Sequence, residues 1–320
     1  MKRILPIFTL LILAACASPY VQERGLSDGP ARFENETLVS RDGQRLTMQV
    51  WQAENPRAVL IGLHGMNEYA NAFAMPGSWL AARGITLYAY DQRGFGRSPG
   101  RGLWAGSEAM AEDVEDMVAV MRVRHPDTPL YVIGVSMGGA VAISALDRSD
   151  NLDVDGLILV APAVWGWSVL NPFYKFSLWV AAHTFPGKKL TGSGLKIMPS
   201  DNIEMLRANY YDDLVIKGTR ADAIYGLVSL MDEGYLSVDG INVPTLLLYG
   251  EKDEIIPRKP VEDAAKRIGG PKRVVVYQNG YHMLLRDLQA ETVWRDISAW
   301  IDDPHGPLPS DEEAARSKVD

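Results

Sequence analysis

Short, continuous apolar runs recur along the chain and are separated by longer segments with a helical period. These runs occupy residues 58–63, 85–90, 130–135, 156–160, 245–249 and 273–277. An unbroken apolar run of this length is typical of a strand that is buried on both faces of a sheet. Residues 37–51 alternate more and carry Asp42-Gly43 between two such stretches, which predicts a β-hairpin.

The clearest helical segment covers residues 107–124. Its apolar residues fall on one helical face: Met110, Val114, Met117, Val118 and Met121. Acidic residues stand early and basic residues late, as the helix dipole favours, and Pro126 follows the end. Alternating strands and helices predict an α/β fold with a mainly parallel sheet of eight strands, covered by helices on both faces.

The alternation is interrupted once, after the predicted sixth strand at residues 156–160. Residues 164–240 are rich in aromatic side chains and have helical patterns. We expect this insertion to form a helical cap over the carboxyl edge of the sheet, where α/β proteins bind their ligands. The predicted catalytic domain spans residues 36–302.

The two ends of the chain have different compositions from the body. Residues 1–15 combine two cations with a short apolar stretch and small residues before Cys16, as in a bacterial lipoprotein signal peptide. Cys16 would then be lipidated and followed by a linker over residues 16–35, and an ordinary signal peptide is the alternative. Residues 303–320 are acidic and predict a disordered tail.

Composition excludes several classes of protein. The 320 residues contain one Cys, so an intrachain disulfide and thiolate metal sites are excluded. The net charge of −8, about −10 after signal cleavage, argues against nucleic-acid binding. We expect no metal and no organic cofactor.

Two segments match Gly-x-Ser-x-Gly, around Ser98 and around Ser136. A nucleophile elbow needs a strand before the serine, a helix after it, and a backbone N–H on the next residue. Pro99 lacks that N–H, whereas Ser136 follows an apolar strand and precedes a helical segment. Ser136 is therefore the candidate nucleophile, with a tight turn lacking any chemistry as the alternative.

A serine nucleophile needs a base, and the base needs an acid that orients it. His282 directly follows the last predicted strand, which places it at the same sheet edge as Ser136. The other four histidines are weaker candidates for the base because of where they lie. They are predicted at a helix end, in the loop after the first central strand, in the cap and in the tail, in that order: His125, His64, His183 and His305. Asp253 is the predicted acid and Glu251 the reserve. The order serine, acid, histidine is that of the α/β-hydrolase fold.

The motifs together resemble those of the monoacylglycerol lipase-like and lysophospholipase-like hydrolases. The matching segments are His64-Gly65-Met66-Asn67-Glu68, the loop from Asp91 to Ser98, and the elbow Gly134-Val135-Ser136-Met137-Gly138. The resemblance implies ester hydrolysis through an acyl-enzyme, with the backbone N–H groups of Met66 and Met137 as oxyanion donors. Common members carry histidine where this chain has Tyr69, Gln92, Phe95 and Val135, so substrate preference does not transfer directly.

Aromatic residues cluster early in the cap, and they are candidates for the lining of an acyl passage: Trp165, Trp167, Phe173, Phe176 and Trp179. Packing within the cap is the simpler interpretation of the same residues. We expect a serine hydrolase, a lipase or lysophospholipase, that acts on monoacylglycerols, lysophospholipids or similar single-chain lipid esters at the outer membrane, facing the periplasm. The alternatives are a short-chain carboxylesterase, a thioesterase, a serine peptidase, or an inactive envelope lipoprotein that binds a lipid or a partner.

Overall fold

The computed structural model describes residues 17–26, 29–149, 152–192, 194 and 196–316. Within these residues one sheet contains ten strands: β1 (Arg32–Glu34), β2 (Thr37–Val39), β3 (Arg45–Trp51), β4 (Ala58–Leu63), β5 (Ile85–Tyr90), β6 (Leu130–Val135), β7 (Gly156–Val160), β10 (Thr245–Gly250), β11 (Lys272–Tyr277) and β12 (Glu313–Arg316). A separate small hairpin pairs β8 (Lys189–Leu190) with β9 (Thr219–Arg220).

The helices are α1 (Ala74–Ala81), α2 (Ser107–Arg124), α3 (Met137–Arg148), α4 (Pro172–Thr184), α5 (Ile203–Tyr211), α6 (Ala221–Ser237), α7 (Arg258–Arg267) and α8 (Ala290–Asp302). Short 3-10 helices cover Ala70–Phe73 and Val238–Gly240. None of the described helices is long and apolar enough to cross a membrane.

The strands follow the order β1-β2-β3-β5-β4-β6-β7-β10-β11-β12. Pairing is parallel from β5 through β11 and antiparallel at both ends of the sheet. The predicted α/β-hydrolase fold is thus confirmed, and the hairpin formed by β2 and β3 lies where the sequence predicts it. The described sheet has ten strands where the sequence predicts eight, because β1 and β12 each add a strand at one edge.

Central strands are buried on both faces because a separate hydrophobic core covers each face. Val59 and Ile61 of β4 belong to the core under α2, α3 and α7, whereas Leu60 faces the core under α1 and α8. The apolar stripe of α2 is buried, as its period predicts. Since side chains alternate along a strand, two cores require an apolar residue at every position of a central strand.

The first edge of the sheet differs from the sequence prediction of a linker over residues 16–35. Residues Arg32–Glu34 form β1 and pair antiparallel with β2. Upstream, the Gln22 N–H donates to the Trp104 carbonyl at 2.8 Å, and the Gln22 amide donates to the Leu103 carbonyl at 2.8 Å. This polar segment therefore gains its structure from backbone partners. The predicted signal peptide and Cys16 lie outside the described residues.

The other edge differs from the predicted disordered tail over residues 303–320. Leu308 is buried, and Glu313 begins β12, which pairs antiparallel with β11. Arg273 of β11 is buried and forms an ion pair with Glu313 at 2.5 Å. The Ser310 N–H donates to Asp296 of α8 at 3.0 Å. Specific polar partners therefore order an acidic segment up to residue 316.

The predicted cap forms the connection between β7 and β10. It contains α4, α5 and α6 with the β8-β9 hairpin between them. Helix α6 contributes Ala223, Leu230 and Met231 to the main core, so it anchors the cap to the hydrolase body. Helix α4 buries only Ala182 and lies further out.

Candidate active site

Ser136 occupies a strained turn between β6 and α3. Its backbone has φ 52° and ψ −115°, a conformation that a non-glycine residue rarely adopts. The Ser136 N–H donates to the Val160 carbonyl at 2.9 Å, and its own carbonyl accepts from Ala163 at 2.9 Å. These bonds hold the turn against β7, and the serine side chain remains half-exposed.

Neighbouring glycines make this sharp turn possible. A Cβ atom on Gly134 would lie 2.4 Å from the Gly138 carbonyl oxygen, and one on Gly138 would lie 2.1 Å from that of Leu63. Only glycine allows the strand, the turn and the helix to approach so closely. The glycines of the Gly-x-Ser-x-Gly motif therefore serve the geometry expected of a nucleophile elbow.

His282 and Asp253 are in direct contact. The Nδ1 atom of His282 lies 2.8 Å from the Asp253 carboxylate, and both side chains are buried. The second carboxylate oxygen of Asp253 accepts backbone N–H groups from Ile255 at 2.7 Å and Ile256 at 3.0 Å. The carboxylate is therefore fixed in position and can fix the orientation of the imidazole.

Glu251, the reserve acid, points elsewhere. Its partly exposed carboxylate forms an ion pair with Arg258 of α7. Since Asp253 already holds Nδ1 of His282, the geometry favours Asp253 as the acid of the site.

The loop after β4 lies directly beside Ser136. A Cβ atom on Gly65 would lie 3.5 Å from the Ser136 Cβ, so the loop backbone passes next to the candidate nucleophile. Met137 is the first residue of α3, and its N–H therefore has no partner within the helix. Met66 follows Gly65. The two predicted oxyanion donors are thus Met137, which directly follows Ser136, and Met66, which directly follows the residue whose backbone passes beside Ser136.

His64 is buried and shapes this loop. Its Nε2 accepts the Gln92 N–H at 2.9 Å, so Nδ1 carries the proton and donates to the Gly65 carbonyl at 2.8 Å. Burial lowers the pKa of His64 below its ordinary value. A neutral ring held at both nitrogens positions the loop and has no free nitrogen to act as a base.

The second Gly-x-Ser-x-Gly segment has no access to this site. Ser98 is buried, and its hydroxyl donates to the Asp91 carbonyl and accepts from the Thr47 N–H at 3.3 Å. In contrast, the Ser136 hydroxyl has no hydrogen-bond partner among the described residues. In ligand-free sites the contact between nucleophile and base often tightens only when substrate binds.

Sequence reasoning missed one buried ion pair in the site. Glu68 accepts a hydrogen bond from Arg286, 218 positions away, and both residues are nearly inaccessible. The Glu68 carboxylate lies 3.2 Å from the position of a Cβ on Gly65, and Arg286 is four residues after His282. The pair therefore joins the loop that carries Met66 to the loop that carries His282.

The aromatic residues of the cap divide into two groups. The first group is partly buried against the rest of the protein: Trp165 contacts the main core, and Trp167 donates to Ser229 of α6 at 3.0 Å. The second group on α4 is exposed, at 71% for Phe173, 67% for Phe176 and 44% for Trp179. An acyl-binding role for any of them stays a prediction.

Comparisons with known proteins identify the family of this chain. Residues 54–289 match the family described as "Serine aminopeptidase, S33". A monoacylglycerol lipase of Mycolicibacterium smegmatis is 27% identical over 270 residues, which cover 81% of this chain and 93% of the relative. Human monoglyceride lipase is 26% identical over 279 residues, with 82% and 89% covered.

Solved structures show the same fold. The crystal structure of a Paleococcus ferrophilus monoacylglycerol lipase superimposes with a TM-score of 0.66 at 20% identity, covering 80% of this chain and 98% of the other. The chain belongs to the serine aminopeptidase S33 family of α/β-hydrolases. The predicted enzyme class, a serine hydrolase of the lipase and esterase type, is thereby confirmed at the level of the family.

Proposed function

We propose that this protein hydrolyses the ester bond of monoacylglycerols, lysophospholipids or similar single-chain lipid esters through an acyl-enzyme. The observation that carries the proposal is the buried contact of 2.8 Å between His282 and Asp253, at the sheet edge where the strained turn presents Ser136. A base oriented in this way can activate a serine hydroxyl, which alone is a weak nucleophile at neutral pH.

The reaction has two halves. His282 removes the Ser136 proton while the serine oxygen attacks the ester carbonyl, and Asp253 stabilises the resulting imidazolium. The oxyanion accepts hydrogen bonds from the N–H groups of Met66 and Met137, each worth about 3 kcal/mol in the transition state. His282 then protonates the departing alcohol, and a water molecule activated by the same base releases the acid.

Two observations support a lipid ester as the substrate. The sequence relatives described above are named for activity on monoacylglycerols. The cap also presents aromatic side chains that a small helical layer does not bury, including Phe173 and Phe176. Such side chains bind an apolar acyl group better than a charged peptide.

Membrane attachment is part of the same proposal. The sequence Leu13-Ala14-Ala15-Cys16 supports cleavage before Cys16 and lipidation of its thiol in a bacterial envelope. The absence of Asp at the following position favours the outer membrane, with the enzyme facing the periplasm. Mass analysis of the mature N-terminus tests this proposal, because an unmodified Cys16 thiol contradicts it.

Labelling with a fluorophosphonate tests the nucleophile. We expect the wild-type protein and Ser98→Ala to be labelled at similar rates, because Ser98 is buried away from the site. Ser136→Ala should not be labelled. Labelling of Ser136→Ala at the wild-type rate would contradict the assignment.

A panel of substrates tests the chemistry and the substrate class. We expect turnover of monoacylglycerols and lysophospholipids to exceed that of acetate and butyrate esters. The family description favours a peptidase as the second candidate, and faster release from aminoacyl anilides than from lipid esters would support it. Binding of lipid without turnover of any ester would favour the inactive envelope lipoprotein.

A further inference from the structure

A cavity of about 560 Å³ lies between the cap and the loop that follows β5. Its polar lining includes Arg101, Lys189, Tyr210, Asp212, Lys217 and Arg220, whereas Ser136, Asp253 and His282 do not line it. Cavities of this size accommodate small organic molecules. The cavity is therefore a candidate binding site separate from the catalytic residues.

Cations outnumber carboxylates in the cavity lining, four to two, in a chain whose net charge is −8. Arg101 donates to the Asp213 carbonyl, and Lys217 donates to the carbonyls of Asp212 and Val215 at 2.6 and 2.9 Å. Their carbonyl partners carry no formal charge, so these exposed cations keep their positive charge. Among the described residues, Arg101, Lys189 and Lys217 form no ion pair.

The carboxylates in the lining compensate part of this charge and leave an excess of positive charge. Asp212 accepts hydrogen bonds from the Tyr69 hydroxyl at 2.7 Å and the Leu214 N–H at 2.8 Å. Arg220 is already paired with Asp222 at 2.5 Å. Asp212 and Asp213 are thus two lining carboxylates against the three cations that have carbonyl partners or none.

Apolar side chains complete the lining. Leu103, Val215 and Ile216 lie beside the charged groups, and the exposed ring of Tyr210 lies at the cavity. A ligand that complements both the charged and the apolar side chains of the lining has one strongly anionic group and a short apolar or glycerol portion. Guanidinium and ammonium groups bind phosphate oxygens through charge-assisted hydrogen bonds.

We propose that this cavity binds a phosphate monoester with a short organic portion. The phosphate contacts Arg101, Lys189 and Lys217, and the organic portion packs on the apolar side chains. Such a group can arrive as a free organic phosphate or as the headgroup of a lysophosphatidate. The site itself is the same in both cases.

Hydrogen bonds also link the cavity to the active-site loop. This link supports a substrate headgroup as the source of the bound phosphate. The Ile216 N–H donates to the Asn67 carbonyl at 2.9 Å, and the Asn67 amide donates to the Thr219 hydroxyl at 2.8 Å. Asn67 directly follows Met66. The wall of the cavity and the loop beside Ser136 are therefore one hydrogen-bonded unit.

Calorimetric titration of the full-length protein with hexyl phosphate, and with hexanol as the neutral control, tests binding of the free ligand. We expect hexyl phosphate to bind and hexanol not to bind. Arg101→Gln and Lys189→Gln should each weaken binding about two- to five-fold, as the removal of a partly exposed charge pair predicts. Lys259→Gln is the matched control, because this exposed lysine of α7 pairs with Asp263 instead.

Steady-state kinetics test the headgroup source. If the phosphate is a headgroup, Arg101→Gln and Lys189→Gln raise the KM for lysophosphatidate and leave the KM for monoacylglycerol unchanged. This second measurement depends on the proposed lipid hydrolysis, whereas the calorimetry does not. Equal binding by the variants and wild type, or no binding together with an unchanged KM for lysophosphatidate, would overturn the proposal. Thermal unfolding checks that both variants fold.

Discussion

Glu68 and Arg286 form a buried ion pair that connects the loop after β4 to the loop after β11. One loop carries the predicted oxyanion donor Met66 and the other carries the predicted base His282. The pair therefore holds together two parts of the site that come from distant parts of the chain.

Removing one partner of this pair should be costly. Glu68→Leu leaves the Arg286 guanidinium buried without a counter-charge, and we expect a loss of about 3–5 kcal/mol in the free energy of unfolding. The double variant Glu68→Leu/Arg286→Met should recover part of that loss, because it buries no unpaired charge. Denaturant unfolding of the three proteins measures both effects. A double variant less stable than the single variant would contradict this account.

The contact between Asp253 and His282 leads to a prediction for activity. Asp253→Asn should lower kcat by about 10³- to 10⁴-fold, because an amide cannot stabilise the imidazolium or hold the same tautomer. Glu251→Gln is the matched control, since the Glu251 side chain pairs with Arg258 on the surface, and it should retain activity within about two-fold. Hydrolysis of a chromogenic ester measures both variants. Comparable losses in the two would show that the acid has been misassigned.

The tight elbow gives a prediction for stability. Gly138→Ala places a Cβ 2.1 Å from the Leu63 carbonyl oxygen, so the backbone must shift. We expect a loss of about 3 kcal/mol in stability and of most activity. Gly192→Ala is the control, because nothing lies within 4 Å of its added Cβ. The melting temperatures of the two variants provide the comparison, and equal values would refute the close approach.

The lowered pKa of Asp42 leads to a prediction for how stability depends on pH. Burial alone would raise its pKa, but hydrogen bonds from Arg93 and Ser40 outweigh burial, so the pKa lies well below the ordinary value. Because the folded pKa is lowered, Asp42 contributes stability above pH about 4, the unfolded value, and this contribution is lost as pH falls further. Asp42→Asn should therefore show a smaller decrease in melting temperature between pH 5 and pH 3 than wild type. An unchanged pH dependence would argue against the role of Asp42.

The sequence predicts the central strands well because strands buried on both faces consist of consecutive apolar residues. Residues 58–63 or 130–135 have apolar side chains wherever a two-sided core requires them. The edge strands β1 and β12 have no such pattern. Their order depends on backbone pairing and on distant partners such as Arg273 and Glu313, which no local period reveals.

The candidate site likewise contains residues that local sequence reveals and residues that it does not. Ser136 and His282 can be inferred from local motifs that follow strands, and the choice of Asp253 over Glu251 needs the direction of each side chain. The Glu68 and Arg286 pair has no local signal, because a charge pair across 218 residues requires the complete fold.

The position of β12 determines when one edge of the sheet is covered during synthesis. This strand covers the outer edge of β11, and an uncovered strand edge is a template for intermolecular pairing and aggregation. Residues 313–316 follow β11 in the chain, so the edge of β11 stays open until these residues have left the ribosome. Nascent chains that stall before this point would therefore be the form of the protein most dependent on chaperones.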